Sequence, residues 1–457
     1  MTTCLSAPLQ SELARRVTRE VFGPPSQRPF AIRYWDGSWE YGASSASEPF
    51  TLVIRHPGAL RAMLLPPSEL ALGEAFLRDD IDFEGNLEAA APVARMVADR
   101  LCSPRRLFRL ARLLLQLPSV ERVVAPPMRR GGRSWGRRHS RRRDGAAIRH
   151  HYDVGNEFYQ LWLDSQTVYS CGYFASGTED LDAAQAAKLD YICRKLRLRP
   201  GERLLDIGCG WGALIRHAVR RYGVEAVGIT ASPAQAELAS RRIAEDGLGD
   251  RCQVELRDYR DLPDRPVFDK VASVGMFEHV GRASLPDYFA TAGRLLRPGG
   301  LFLNHGIIDL QLARPRGLQT RCRQWLWREG RFLQRYVFPN GELVPLAEVI
   351  GAAEQAGLET RDVESLREHY VLTLRHWVRR LEAQEDEAVA LVGEATFRVW
   401  RLYLAASASA FAQGRIGVVQ LLLSKAPVGM GDTVPLTRHD LYLDTKRELR
   451  EAWTRSP

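Results

Sequence analysis

The chain is 457 residues long, 45% hydrophobic and 26% charged, too long for one ordinary domain and too apolar for a disordered protein. No stretch approaches the roughly 20 consecutive apolar residues of a spanning helix, and the opening MTTCLSAPLQSELARRV lacks a secretory pattern, so a cytoplasmic location is expected. The net charge of +9 is carried almost wholly by arginine, since the only lysines are Lys188, Lys195, Lys270, Lys425 and Lys446; it points to an anionic partner, nucleic acid or acidic phospholipid.

From Phe30 to Arg55 the chain alternates in β-rich runs around Asp36-Gly37, a hairpin signal. Helical patterns follow in ALRAMLL and ELALGEAFLRDDIDFEG, so residues 1–125 read as a small α+β accessory domain. The stretch Pro104 to Leu117 sets Arg105, Arg109 and Arg112 opposite Leu107, Leu110, Leu114 and Leu117. It is either a core-facing helix with a solvated basic face or an amphipathic helix lying on an anionic membrane. Residues 126–148 are expected to be a basic linker: Gly, Pro and arginines allow no core there. Arg129, Arg130, Arg133, Arg137, Arg138, Arg141, Arg142, Arg143 and Arg149 face a single acid, Asp144. Such a run binds RNA, DNA or lipid headgroups equally well.

From residue 149 to 425 strands and helices alternate. Strand candidates lie in ERLLDIG, VEAVGIT, CQVELRD, FDKVASVG and GGLFLNHGII, with helical patterns such as SPAQAELASRRIAEDG and PDYFATAGRLL between them. That rhythm predicts an α/β domain with a parallel, doubly wound, Rossmann-like sheet. After Asp309 the pattern turns helical through RCRQWLWREGRFLQRY, PLAEVIGAAEQAG and a long helix from Glu368, a cover expected over the carboxyl ends of the strands. Residues 426–457 form an extension with no motif. The cysteines, at 4, 102, 171, 193, 209, 252 and 322, show no C-x-x-C spacing. Reduced thiols and no metal are expected.

The chemistry begins at LLDIGCGWG, which sets Gly208, Gly210 and Gly212 directly after an apolar strand. Glycines there let the backbone turn tightly and approach a ligand, ahead of a helix N-terminus. Asp206 is placed to reach an amine, and no Walker lysine follows. The pattern favours S-adenosylmethionine over a dinucleotide or nucleotide triphosphate; the alternative is a merely structural turn. The second strand ends at Thr230 without the acid that usually holds a ribose, which leaves Thr230 and Gln235 to supply those contacts. Asp258 and Tyr259 then offer a carboxylate and an aromatic wall to an adenine.

The segments HYDVGNEFY (151–159), VYSCGYF (168–174), LLDIGCGWG, GITASPAQ (228–235), RDYRDL (257–262), SVGMFEHVG (273–281), NHGII (304–308) and VFPNG (337–341) occur in this order. Together they resemble the cyclopropane-fatty-acyl-phospholipid synthase family over about 150–425, and YWDG, IRHPGAL and LGEAFLRDD resemble the lipid-binding module of its longer members. The resemblance implies a class I S-adenosylmethionine-dependent methyltransferase domain, with Tyr169 and Ser170 joining the cofactor-binding residues. It implies methyl transfer to the cis double bond of an unsaturated phospholipid acyl chain, and a bound bicarbonate that removes a proton before the ring closes. By similarity the bicarbonate is held by the backbone at Cys171 and Ile307 and the side chains of Glu278, His305 and Tyr370. A carboxylate beside an anion makes sense only if Glu278 carries or shares a proton. Read singly, His305 is a structural histidine, Cys171 a buried thiol, and Tyr370 part of a core stripe with Leu374, Trp377 and Leu381; only their joint occurrence in the motifs reverses this.

Family members often carry a cysteine in a late Y-L-x-A-C-A motif, where this chain has Ser407; alkene methylation requires no thiol nucleophile. Aromatic residues cluster from Tyr152 to Phe174, suited to packing and to cation–π attraction alike. The expected partners are an anionic phospholipid surface, at the inner face of the membrane, and an acyl chain; no nucleic acid is expected, and a homodimer is left open. Alternatives are a relative that makes a methylene or methyl-branched lipid or methylates another substrate, and a non-catalytic lipid- or RNA-binding protein.

Overall fold

The structure is a computed structural model that describes residues 6–43, 49–101, 103–120, 144–145, 151–152, 154–310, 330–339, 341–426 and 434–442. The arginines from Arg129 to Arg143, Arg149, and most of the closing segment 426–457 lie outside the described residues, as do Cys4, Cys102 and Cys322. The chain forms two compact units, each discontinuous in sequence.

The first unit takes its described residues from 1–133, 313–339 and 381–413. Its sheet joins β1 (Ala31–Arg33), β2 (Trp39–Glu40), β3 (Phe50–Ile54) and β4 (Ile81–Gly85) in the order β2-β1-β3-β4. The hairpin expected at Asp36-Gly37 forms: Gly37 turns at φ +81°, and the Tyr34 N–H donates to Ser38 O at 2.9 Å. IDFEG, expected to continue a helix, is instead β4. The helix Glu69–Leu77 stops short, Asp79 takes φ +58°, and Ile81 and Phe83 bury on alternate positions against β3. The period changes from 3.6 to 2 where pairing with β3 satisfies the backbone.

Helix Pro104–Leu114 buries Leu110, Leu114 and the following Leu117 in the unit's core. That apolar face is therefore not available for a membrane; Phe108 (68% exposed) and Leu115 (54%) remain outside. Helix Arg331–Tyr336, expected over the sheet, packs instead in this first unit, together with helix Glu394–Ala412. Arg398 of the latter donates to Phe76 O at 2.9 Å and pairs with Asp79 at 2.9 Å, and the Tyr336 hydroxyl donates to Glu74 at 3.0 Å.

The second unit holds a seven-stranded sheet in the order β10-β11-β9-β8-β5-β6-β7. Its strands are β5 (Arg203–Ile207), β6 (Glu225–Thr230), β7 (Cys252–Leu256), β8 (Phe268–Val274), β9 (Leu296–Asp309), β10 (Leu358–Ser365) and β11 (Ile416–Lys425). The five strands from β9 to β7 run parallel, as expected; β11 runs antiparallel to both β9 and β10, an addition the sequence reading lacked. Successive residues bury on opposite faces: Leu205, Val271, Phe302 and Leu421 in one core, Leu204, Ala272, Leu303 and Leu422 in the other. Both faces being covered is why these strands read as unbroken apolar runs. Chain order reverses between β5 and β8, and doubly wound sheets bind ligands at such a switch point.

Candidate active site

The turn after β5 is held from behind. The N–H groups of Gly208 and Cys209 both donate to Ile229 O of β6, at 2.9 and 3.0 Å. Gly208 (φ +86°), Gly210 (φ +55°) and Gly212 (φ +79°) all occupy the left-handed region that disfavours side chains. Their surroundings differ. A Cβ at Gly208 would lie 2.8 Å from the Met276 side chain, whereas one at Gly210 would meet no atom within 4 Å. Gly212 caps the helix Ala213–Tyr222. Gly210 thus borders open space in front of the turn.

That space is a cavity lined by Tyr169, Ser170, Asp206, Gly208, Gly210, Thr230, Gln235, Asp258 and Tyr259, so nine of the expected cofactor residues line one cavity. Gly212 stands behind it. Thr230 donates to Gln235 Oε1 at 2.8 Å, a pair anchored by the Ser232 cap of helix Pro233–Glu245. Asp258 holds Arg260 in a fork at 2.8 and 2.6 Å, and Arg260 reaches Asp144 at 3.3 Å. The acid within the arginine run therefore lies at the cavity wall.

Asp206 is buried and its Oδ1 has no protein partner. Burial pushes its carboxyl up to about 7 although Lys188 draws it down. Lys188, wholly buried on helix Leu181–Lys195, donates to Ser170 Oγ at 2.7 Å and is itself pushed down to about 8 by burial. The sequence reading missed it. The available signal was a lysine four residues from both Ala184 and Ile192 on an apolar helix face, in a chain nearly without lysine.

A second polar group lies at the ends of β8 and β9. Glu278 Oε1 accepts the Ile307 N–H at 2.8 Å; its Oε2 is buried without a partner, and burial raises the carboxyl to about 7. Ile307 N–H, expected to face an anion directly, is thus taken by Glu278: a carboxylate leaving water binds the nearest strong donor. His305 is 1% exposed, and its Nδ1 lies 3.2 Å from Gln420 Nε2 on β11. His305 Nε2 is buried with no partner, and burial holds the imidazole well below its ordinary 6.5. Cys171 is wholly buried, its thiol raised by burial and donating to Gly172 O at 3.3 Å.

A set of aromatic rings packs beside the cavity. Trp377, fully buried, sits 5.2 Å from Tyr169 on the cavity wall and 5.8 Å edge-on from Tyr370. Trp162 completes the set at 5.6 Å from Trp377 and 5.5 Å from Tyr169. The stripe that reads as helical core packing thus packs against Tyr169 of the cavity lining.

A family model described as mycolic acid cyclopropane synthetase matches residues 139–421, and one described only as a domain of unknown function matches residues 17–100. A probable fatty acid methyltransferase of Pseudomonas putida is 41% identical over 416 residues, 91% of this chain and 96% of that one. The cyclopropane-fatty-acyl-phospholipid synthase of Escherichia coli is 36% identical over 286 residues, 63% of this chain and 69% of that one. The crystal structure of the mycolic acid cyclopropane synthase CmaA1 complexed with SAH and CTAB superposes with a TM-score of 0.57 at 34% identity, over 62% of this chain and 98% of that one.

Proposed function

This chain belongs to the cyclopropane synthase family of S-adenosylmethionine-dependent, lipid-modifying methyltransferases, and on that premise we propose that it methylates the cis double bond of unsaturated phospholipid acyl chains and closes the product to a cyclopropane. The observation that carries the second half is the pair of buried atoms without partners, Glu278 Oε2 and His305 Nε2, the carboxyl of the first accepting the N–H of Ile307, two residues beyond His305 on β9.

The cavity residues fit the cofactor. Gly210 leaves room that a Cβ would fill, and Asp206 presents an unpartnered carboxylate suited to an ammonium group. Asp258 and Tyr259 take the adenine end, with Thr230 and Gln235 beside them. When bound, S-adenosylmethionine supplies an electrophilic methyl group. The face of Tyr169, on the cavity lining, attracts positive charge, roughly 0.5 to 2 kcal/mol. A methylated alkene closes to a ring only by losing a proton, so a base must stand against hydrocarbon. Bicarbonate, held by Glu278, His305, Tyr370 and the backbone at Cys171, is that base in this reading. Glu278 tolerates it because its carboxyl is half protonated near neutral pH.

The same reading has residues 1–125 and the basic segment 126–148 dock the enzyme peripherally on anionic phospholipid. Among the described residues no helix is long and apolar enough to cross a membrane. Phe108 and Leu115, exposed on the arginine-bearing helix, offer shallow apolar contacts in place of the buried leucines.

The decisive test is mass analysis together with 1H NMR of lipids after expression in a host without cyclopropane lipids, since the cyclopropane and methylene products have equal mass. A gain of CH2 with loss of the alkene is expected. A gain of CH2 with the alkene retained favours a methylene product, the second reading. Glu278→Gln and His305→Ala should each impair turnover far more than cofactor affinity.

A further inference from the structure

We propose that Gln420 is a positioning residue: it donates its side-chain N–H to His305 Nδ1 and so fixes the ring proton on Nε2, the nitrogen that faces the site. The two residues lie directly opposite each other in the antiparallel pair of β9 and β11. Both are buried, at 1% and 0% exposure, and Gln420 Nε2 stands 3.2 Å from His305 Nδ1.

The chemistry follows from counting protons. Burial keeps the imidazole neutral, the nearby Lys188 and Lys195 acting in the same direction. A neutral imidazole has one N–H and one lone pair, and the group bonded to one nitrogen decides which nitrogen carries the proton. An amide N–H directed at Nδ1 requires the lone pair there, so the proton sits on Nε2. As placed, the amide nitrogen stands at Nδ1, and Gln420 Oε1 and His305 Nε2 are the buried atoms left without a partner.

The position makes the role visible. Gln420 interrupts an apolar run, Val418-Val419-Gln420-Leu421-Leu422-Leu423, in a strand buried on both faces. A buried amide there costs free energy that leucine would not, and its one side-chain partner among the described residues is His305. The consequence for catalysis rests on the proposed bicarbonate site: an Nε2–H donates to an anion, whereas a lone pair would repel it. Gln420 thereby converts a general-base histidine into a hydrogen-bond donor.

The test uses the full chain labelled with 15N-histidine, with His305→Gln to assign the signal. Long-range 1H–15N correlation should show His305 Nδ1 unprotonated and Nε2 protonated from about pH 6 to about pH 8. Gln420→Glu, whose carboxylate can only accept at Nδ1, should invert the pattern and lower kcat about tenfold or more, with cofactor affinity unchanged. A wild-type spectrum with the proton on Nδ1, or an unaltered pattern in Gln420→Glu, overturns the proposal. If that variant fails to fold, the wild-type spectrum and Gln420→Met, expected to mix the two forms, decide the matter. Bicarbonate added to the wild type should shift the Nε2–H signal. With the Nε2–H form in place, no shift would remove the bicarbonate reading and leave Gln420's role standing.

Discussion

Replacing Glu278 by Gln should make the protein relatively more stable at alkaline pH, not less. The Glu278 carboxyl has one oxygen bonded to Ile307 N–H at 2.8 Å and the other buried without a partner. Burial outweighs that bond and lifts the carboxyl from 4.5 to about 7. The native state then keeps a proton that the unfolded chain has lost between about pH 4.5 and about pH 7, so it binds more protons across that window. Stability from this group is fully present below about 4.5 and is lost as the pH rises through about 7. At 1.36 kcal/mol per pH unit the whole loss is about 3 kcal/mol. Glutamine does not ionise and escapes it. Urea unfolding of wild type and Glu278→Gln should therefore give stability differences that move toward the variant by about 3 kcal/mol between about pH 4.5 and about pH 8. Any cost of the substitution itself is constant with pH and cancels. A difference that stays flat across the range refutes the buried, protonatable carboxyl, and with it the account of how Glu278 tolerates an anion.

Gly210→Val should weaken S-adenosylmethionine binding about tenfold or more in calorimetry, because the side chain fills open space at φ +55°; unchanged affinity removes the cofactor from this turn. Cofactor affinity should fall as the pH drops through about 7, where the Asp206 carboxyl takes up its proton. Asp206→Asn should bind weakly and without that pH dependence, and a wild type that binds equally across the range refutes the ammonium contact. Substituting Arg137, Arg138, Arg141, Arg142 and Arg143 by Gln should abolish co-sedimentation with anionic vesicles and leave cofactor binding intact, since each arginine near such a surface contributes about 1 kcal/mol. A variant that sediments like the parent moves the docking surface to the N-terminal module.

The sequence alone determined whatever depends on neighbours along the chain. The glycine turn after β5, the hairpin at Asp36-Gly37 and the parallel strands β5 to β9 were legible because positive φ and apolar runs bounded by turn residues leave a local imprint. The cavity-lining residues from Asp206 to Tyr259 were legible for the same reason, since they sit at strand ends and in the turns just beyond them, whereas Tyr169 and Ser170 came only from the resemblance. The tertiary structure decided everything that depends on partners far apart in sequence. IDFEG becomes a strand because β3 is there to pair with it, and Glu394–Ala412 joins the first unit because Asp79 and Phe76 O receive Arg398. Lys188 acquires meaning only beside Asp206 and Ser170, and Glu278 only once Ile307 gives up its N–H. His305 and Gln420 are 115 residues apart in sequence and directly opposed across a strand pair. A buried polar group takes its role from the atom it faces, and register across a sheet, which no local period encodes, chooses that atom.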